Sequence, residues 1–558
     1  MQQINQALQA GYAAFQRGAF DEARRHLQPI NHAKAVHLLA LVEKGAGELQ
    51  KAAALFERAA EMDPQDPEIA NNRATLARNT GQNTLAETEY RRALQLKPAF
   101  QQAKAGLGRL FIDAERWADA LELYGAILET NPGDVSARYG LGTALLGDGQ
   151  AEAAESLFST LIAEGRNDAN IYFMRARTRL ELGQVQDGID DLTISHAAQP
   201  TNFTLKTLAQ TYWMNGDSAA FDALLRESAL VPELVVTSAE ILRQSGKPRA
   251  ALDALDNIRK TVALPAESWA VAANAHIDLN DPTAAEADAR ECLASHPDDR
   301  LIRGNLLTAL LMQGKAEEAM PYIQDMRERE PNGQHWIAYE ATALRLMGSE
   351  RYGQIVDLDR FVRPYELPVP EGFDSLDEFN AAFLKALEPW HQYKTHPLDQ
   401  SLRDGSQTPR DLTTIDDPVI KAFYRALDAP IRQYMADVGS GDDHPLTARN
   451  TGDYRIAGAW SVKLQGGGWH VNHVHPVGWI SSAYYVSVPR ETANDENRAG
   501  WIKFAEPPFE TTPPTPPEKW IAPTAGTLVL FPSFLWHGTE AIHDGSMRVT
   551  APFDAVPV

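Results

Sequence analysis

Prolines recur at a fixed interval along the first part of the chain, and that interval constrains the fold more than any other feature. Pro64, Pro98 and Pro132 are 34 residues apart; the series resumes at Pro200, two periods on, and Pro297 and Pro331 repeat the spacing. Seventeen residues before these points stand Gly47, Gly81, Gly183, Asn280 and Gly314, with Gly149 in the same slot of a repeat that lacks its proline and Glu115 as the exception. Ala52, Ala86, Ala120, Gly188, Ala285 and Ala319 lie twelve before, and Phe56, Tyr90, Tyr124 and Leu192 eight before. Such self-similarity is the mark of stacked structural repeats. Each slot has a steric reason. The glycine ends a first helix with a left-handed cap, and the small residue lets two helices approach. The aromatic fills the groove toward the next unit, and the proline ends the second helix because it cannot continue the hydrogen-bond ladder.

Charge and cysteine usage exclude several function classes. Lys plus Arg is 52 against 75 Asp plus Glu, a formal net charge of −23. That argues against a nucleic-acid partner, which needs a basic face, and against a polybasic membrane anchor. Cys292 is the single cysteine, so an intrachain disulfide and a zinc–thiolate cluster are both excluded; within AEADARECLASHP it reads as a small packed residue. The stretch MQQINQALQAGYAAF lacks the basic-then-apolar pattern of a signal peptide, and no apolar run is long enough to span a bilayer. The expectation is a cytoplasmic chain with no nucleic-acid and no membrane partner.

The character changes after about residue 355. RPYELPVPEGF (363–373) reads as a connector. Two helical segments follow at 375–390 and 417–439, with a polar, loop-like stretch at 396–412 between them. From 455 the pattern is β: strands are expected at 459–465, 479–488, 501–504, 526–531 and 547–553, with a proline-rich surface loop at 506–520 and a tight turn at Asp544-Gly545. Short strands with this punctuation suggest a sandwich or barrel.

Histidines concentrate there. His473 and His475 are two residues apart, so on a strand both imidazoles share one face. His537 follows FPSFLW, and Arg548 comes 11 residues later. Two close ligands, one distant ligand and a downstream arginine suit a mononuclear iron site with an acidic cosubstrate. Imidazole suits iron and leaves open positions, and the guanidinium offers a fork to a carboxylate. A two-residue turn would set Arg548 opposite Ala541, about 13 Å along the strand from His537 at roughly 3.3 Å per residue. His470 and His543 are left outside the ligand set. Gly466-Gly467-Gly468 lacks the context of a phosphate loop and reads as a bend; Trp460 and Trp479 read as core.

Two resemblances follow from these residues. The 34-residue repeat resembles the tetratricopeptide repeat over about residues 1–350, most specifically from Leu38 to Pro200 and more loosely over 201–263. It implies an α-solenoid of about eight to nine units whose concave face binds a protein or peptide partner. The segments WSVKLQGGGWHVNHVHPVGWISSAYYVSVP, GWIKFAEPP and PTAGTLVLFPSFLWHGTEAIHDGSMRVTAPFD resemble the 2-oxoglutarate/Fe(II) oxygenases, in the bacterial group related to prolyl 4-hydroxylases. This second resemblance implies an all-β double-stranded β-helix, or jelly roll, with flanking helices over 351–558. It also implies Fe(II), 2-oxoglutarate as cosubstrate and O2. Within it, His473 matches the first ligand, His537 the distal ligand and Arg548 the oxoglutarate anchor. Thr550 matches the hydroxyl two residues after that arginine, and Tyr485 a strand residue that helps hold oxoglutarate. Where the family carries a carboxylate this chain has His475, so the expected metal set is His473, His475 and His537. The expected activity is a dioxygenase that hydroxylates a peptide or protein side chain recruited by the repeats, an analogy with collagen-type prolyl hydroxylases. The alternatives are a small-molecule oxygenase whose repeats serve assembly, and a non-catalytic repeat scaffold with a degenerate jelly roll.

Overall fold

The computed structural model describes residues 2–493, 496–543, 545 and 547–558. In it the 34-residue period becomes a succession of antiparallel helices. Every left-handed slot is occupied as its spacing requires, with φ from +55° at Glu115 and +56° at Asn280 to +83° at Gly47. Glu115 therefore does the work of a glycine, a backbone placement that costs a non-glycine roughly 1–2 kcal/mol and that the surrounding helices must offset. The small residues at Ala52, Ala86, Ala120, Ala285 and Ala319 are fully buried. The Tyr124 ring fills the space that a Cβ at Gly140 would occupy, so aromatic and glycine are matched across neighbouring helices.

The chain divides into two compact units, Met1–Gln184 and Val185–Val558. The first holds eleven helices, from Gln2–Gln16 to Ala169–Glu181. The second opens with ten more, from Val185–Ala198 to Gln334–Leu346. These 21 helices among the described residues exceed the 16 to 18 that eight or nine repeats would use. Six of them lie at 2–27 and 202–259, where the 34-residue series of prolines is interrupted. Other signals start the helices of the second stretch: a capping box at Thr201, the Asp217 side chain accepting from Ala220 N–H, and Pro248 at a first helical position.

The described residues after 350 include eleven strands: β1 (Arg363–Glu366), β2 (Leu402–Gln407), β3 (Tyr454–Ala459), β4 (Val462–His470), β5 (Ile480–Ser487), β6 (Ile502–Phe504), β7 (Lys519–Ile521), β8 (Thr527–Pro532), β9 (His537–Thr539), β10 (Arg548–Thr550) and β11 (Phe553–Pro557). One eight-stranded antiparallel sheet runs β1-β8-β5-β10-β4-β2, with β11 joining β5 to β3; a three-stranded sheet runs β7-β6-β9. These two antiparallel sheets, with helices beside them, form the expected jelly roll. Three expectations need correction. The supposed connector at 363–373 contributes β1, whose residues pair with β8. The supposed loop at 396–412 contains β2, paired with β4. Both are short and lie at the ends of the sheet path, where period-2 patterning is weakest. The expected strands at 459–465 and 547–553 are each broken, at Trp460-Ser461 and Ala551-Pro552. The glycine triplet, expected as a bend, is a bulged part of β4. Gly467 has φ +92°, and the β2–β4 register shifts between Arg403 and Gly405.

On one side of the larger sheet the helices Leu376–Leu387 and Pro418–Ala426 supply Phe383 and Phe423, whose ring centroids are 4.7 Å apart; Phe423 lies 4.9 Å from Tyr484 on β5. The same apolar core continues into the last repeat helices through Leu310, Ile337 and Leu344. Polar contacts pin that junction. Trp536 Nε1 donates to Thr342 Oγ1 at 3.0 Å, and Arg345 donates to the carbonyls of Ala505 and Pro516, each at 2.7 Å. Thr342→Val keeps the shape of the side chain but strands the buried indole N–H. Urea unfolding of the variant should show a loss of about 1–3 kcal/mol, the cost of a buried donor without a partner; an unchanged stability would mean the junction is not part of the cooperative fold.

Candidate metal centre

The site lies where the chain leaves β4. His473 and His475 are not on a regular strand, as the two-residue spacing had suggested. His473 forms an isolated antiparallel bridge with His537, the first residue of β9. His473 N–H donates to the His537 carbonyl at 2.9 Å, and His537 N–H returns the bond at 3.0 Å. His475 N–H donates to Ser533 O at 3.0 Å. The backbone is therefore extended and anchored across the gap, which keeps the two imidazoles on one side. One ring nitrogen of each of His473, His475 and His537 lies within 4.8 Å of those of the other two.

The other ring nitrogens settle which atoms face inward. His473 Nδ1 donates to Val471 O at 2.8 Å, and His537 Nδ1 to Leu535 O at 2.9 Å. A carbonyl can only accept, so each Nδ1 carries the hydrogen and each neutral ring leaves Nε2 bare. His475 Nδ1 meets Asp554 Oδ1 at 2.6 Å and Oδ2 at 2.7 Å, which leaves its Nε2 as the atom facing His473 Nε2, 3.1 Å away. Burial holds the His473 imidazole down to about pKa 3, and burial likewise pushes His537 well below the ordinary value. The three Nε2 atoms thus converge on one point, two of them on neutral rings whose Nδ1 holds the hydrogen. This donor set fits a first-row divalent metal.

Asp554, on β11, was missed from sequence. Besides His475 it accepts from Ser481 Oγ at 2.7 Å, and Ser481 Oγ is 2.8 Å from Ser533 Oγ. A carboxylate behind a ligating imidazole fixes its tautomer and raises its basicity. It is separated from His475 by 79 residues, so no local pattern marks it. Its one sequence signal is its place six residues after Arg548, at the start of the closing strand.

A cavity of about 570 Å³ opens on the three imidazoles and is lined also by Arg548, Tyr485, Thr550 and Trp460. Trp479 is core, as expected, but Trp460 faces this cavity, its ring 5.7 Å from His475. Arg548 reaches the cavity by a route other than the expected hairpin. β10 pairs with β4 and β5, whereas β9 pairs with β6; the expected turn residue Asp544 lies outside the described residues. Arg548 is 2% exposed, donates from Nη1 to Gly500 O, leaves Nε without a partner, and forms no ion pair among the described residues. Its guanidinium lies 6.0 Å from the Tyr485 ring centroid, and Thr550 pairs with Tyr485 across the sheet. Burial pushes the Tyr485 hydroxyl up to about 12, against the opposing pull of Arg548, so it remains a neutral donor. A buried, unpaired cation beside a neutral hydroxyl is built to receive an anion. His470 is set apart from the three: its Nδ1 is 3.1 Å from Ser401 Oγ, which in turn is 3.3 Å from His473 Nε2. His543 lies outside the cluster.

Asp554→Asn should preserve the fold yet lower the affinity for a divalent first-row metal about 10–100-fold, the usual effect of losing such a partner. Competitive chelator titration reads this; wild-type affinity would mean that Asp554 serves only the sheet.

Family models match parts of both the repeat region and the strand-rich region. The family described as "Putative 2OG-Fe(II) oxygenase" matches residues 458–554. Tetratricopeptide repeat families match 111–178, and 37–99 together with 270–333. No curated protein matches the chain. Among solved structures, a tetratricopeptide repeat protein from Parabacteroides merdae is 17% identical, with 56% of this chain and 100% of that one covered and a TM-score of 0.31. Pseudomonas aeruginosa pilF is 18% identical over 36% of this chain and 93% of its own, with a TM-score of 0.32. YrrB, described as a TPR protein with an unusual peptide-binding site, is 19% identical over 33% and 95%, with a TM-score of 0.27. No helix among the described residues is long and apolar enough to cross a membrane. The chain thus matches tetratricopeptide repeat families at 37–99, 111–178 and 270–333, and the family described as "Putative 2OG-Fe(II) oxygenase" at 458–554.

Proposed function

We propose that the chain is a 2-oxoglutarate- and Fe(II)-dependent dioxygenase that hydroxylates a peptide or protein side chain, with residues 1–350 recruiting and residues 351–558 carrying the chemistry. The observation that carries this reading is the meeting, in one cavity, of three converging imidazole nitrogens with the buried Arg548, which forms no ion pair among the described residues. In this reading His473, His475 and His537 hold Fe(II) through Nε2. Arg548 takes the distal carboxylate of 2-oxoglutarate, with Thr550 and Tyr485 as its hydroxyl neighbours. When bound, Fe(II) with 2-oxoglutarate and O2 supplies the oxidising chemistry, in which decarboxylation to succinate is coupled to hydroxylation of a C–H bond.

The chain's own part is placement, charge and exclusion of water. Asp554 holds His475 Nδ1–H, so that ring cannot rotate away from the cavity. A third neutral imidazole leaves the metal complex one unit more positive than a two-histidine, one-carboxylate set. Asp554 restores a negative charge one hydrogen bond further out. Phe531, whose ring centroid is 4.6 Å from His537, shields that side from solvent and strengthens the electrostatics of the site.

The test is succinate release from 2-oxoglutarate by the full chain with Fe(II). His537→Ala should abolish both iron binding and succinate formation. Arg548→Ala should retain iron but weaken 2-oxoglutarate binding by about 1.5–3 kcal/mol, the scale of a hydrogen bond to a charged group. Wild-type chain that binds no iron would favour the scaffold reading instead. An unchanged apparent affinity for 2-oxoglutarate would give Arg548 a purely structural role.

A further inference from the structure

We propose that the metal cavity is the middle of a groove for an extended polypeptide, entering beside the repeat helices Asn202–Asn215 and Val235–Gln244 and leaving along the proline-rich segment 506–516. This rests on the oxygenase reading above and adds to it the path and the preference of the substrate.

Two further cavities flank the metal cavity, of about 540 and 580 Å³. Their walls are shared with it. Asp399, Gln400 and Arg403 line both the metal cavity and the one on the repeat side. His470, Val471, Asn472 and Thr539 line both the metal cavity and the one on the proline-rich side. The three volumes therefore follow one another along the surface of a single compact unit. A five-carbon diacid and a single amino acid would fill only the central one.

The outer walls carry polar groups at both ends. Gln244 and Gln400 bring side-chain amides to the repeat side, and Glu506 and Glu510 bring carboxylates to the other. An extended main chain presents carbonyls and N–H groups all along its length, so it meets amides at one end and carboxylates at the other. At the junction of the first two cavities, Arg403 donates from Nη1 to the carbonyls of Gln400 and Leu402 and forms no ion pair among the described residues. That cation selects an acidic side chain on the substrate beside the residue that enters the metal cavity. On the far side, Trp469 and Phe509 provide an apolar wall for a side chain beyond it.

The test uses the full-length protein and a random dodecapeptide library. Peptides enriched on the wild type are labelled with fluorescein, and their affinities are measured by anisotropy. Gln244→Trp obstructs the repeat-side cavity and Pro514→Trp the opposite one; unfolding midpoints check that both variants fold. Each should weaken binding at least tenfold, and Arg403→Glu should do the same for the acidic peptides. Cutting a selected peptide to four residues should cost as much. Failure to enrich any peptide, or peptides bound equally well by both obstructed variants, would overturn the groove. Peptides that bind and are excluded by the obstructions, in a wild type that releases no succinate with Fe(II), would uphold the groove while the oxygenase reading fell.

Discussion

Two backbone hydrogen bonds hold the site together: His473 N–H to His537 O, and His537 N–H to His473 O. They join the segment leaving the large sheet to the first residue of β9 in the small one, and they set the two imidazole centroids 4.2 Å apart. Reciprocal bonding of this kind fixes a pair of extended segments in register. A slip of one residue on either side would turn an imidazole out of the cavity. Everything else at the site is arranged around that bridge. The carbonyls of Val471 and Leu535, two residues back on each strand of the bridge, take the Nδ1 hydrogens. Gly538 permits the close approach, since a Cβ there would collide with Asn472 and the His470 carbonyl.

The third imidazole departs from the two-histidine, one-carboxylate arrangement, and Asp554 gives that departure a physical sense. The negative charge has moved outward rather than vanished. It sits on β11, hydrogen-bonded to His475 and supported by Ser481. The pairing of β11 with β5 places it there, Asp554 facing Ser481 in register. Of the three imidazoles His537 thus stands on the small sheet, while Asp554, behind His475, stands on the large one.

Much of this was legible in the sequence, for identifiable reasons. The repeat was legible because each unit meets the same steric demands, so glycine, alanine, aromatic and proline return at one interval. The extra hairpins were not, because over 202–259 capping side chains and a first-turn proline replace the period marks. His473, His475, His537 and Arg548 stood out because their spacing is local or follows strong strands. The direction from which Arg548 arrives was misread, since a turn signal predicts a hairpin but β10 returns to the other sheet. The edge strands β1 and β2 were read as connector and loop, being short and polar. Asp554 and Ser401 escaped because their contacts with the histidines span 79 and 72 residues.

On the proposed reading, three imidazoles and no protein carboxylate face one metal ion. X-ray absorption at the iron edge of the full-length chain, loaded anaerobically with one Fe(II), measures this directly. Multiple scattering from three imidazole rings is expected, reduced to two in His475→Ala. Scattering from two rings together with a protein carboxylate in the wild type, unchanged in His475→Ala, would contradict it.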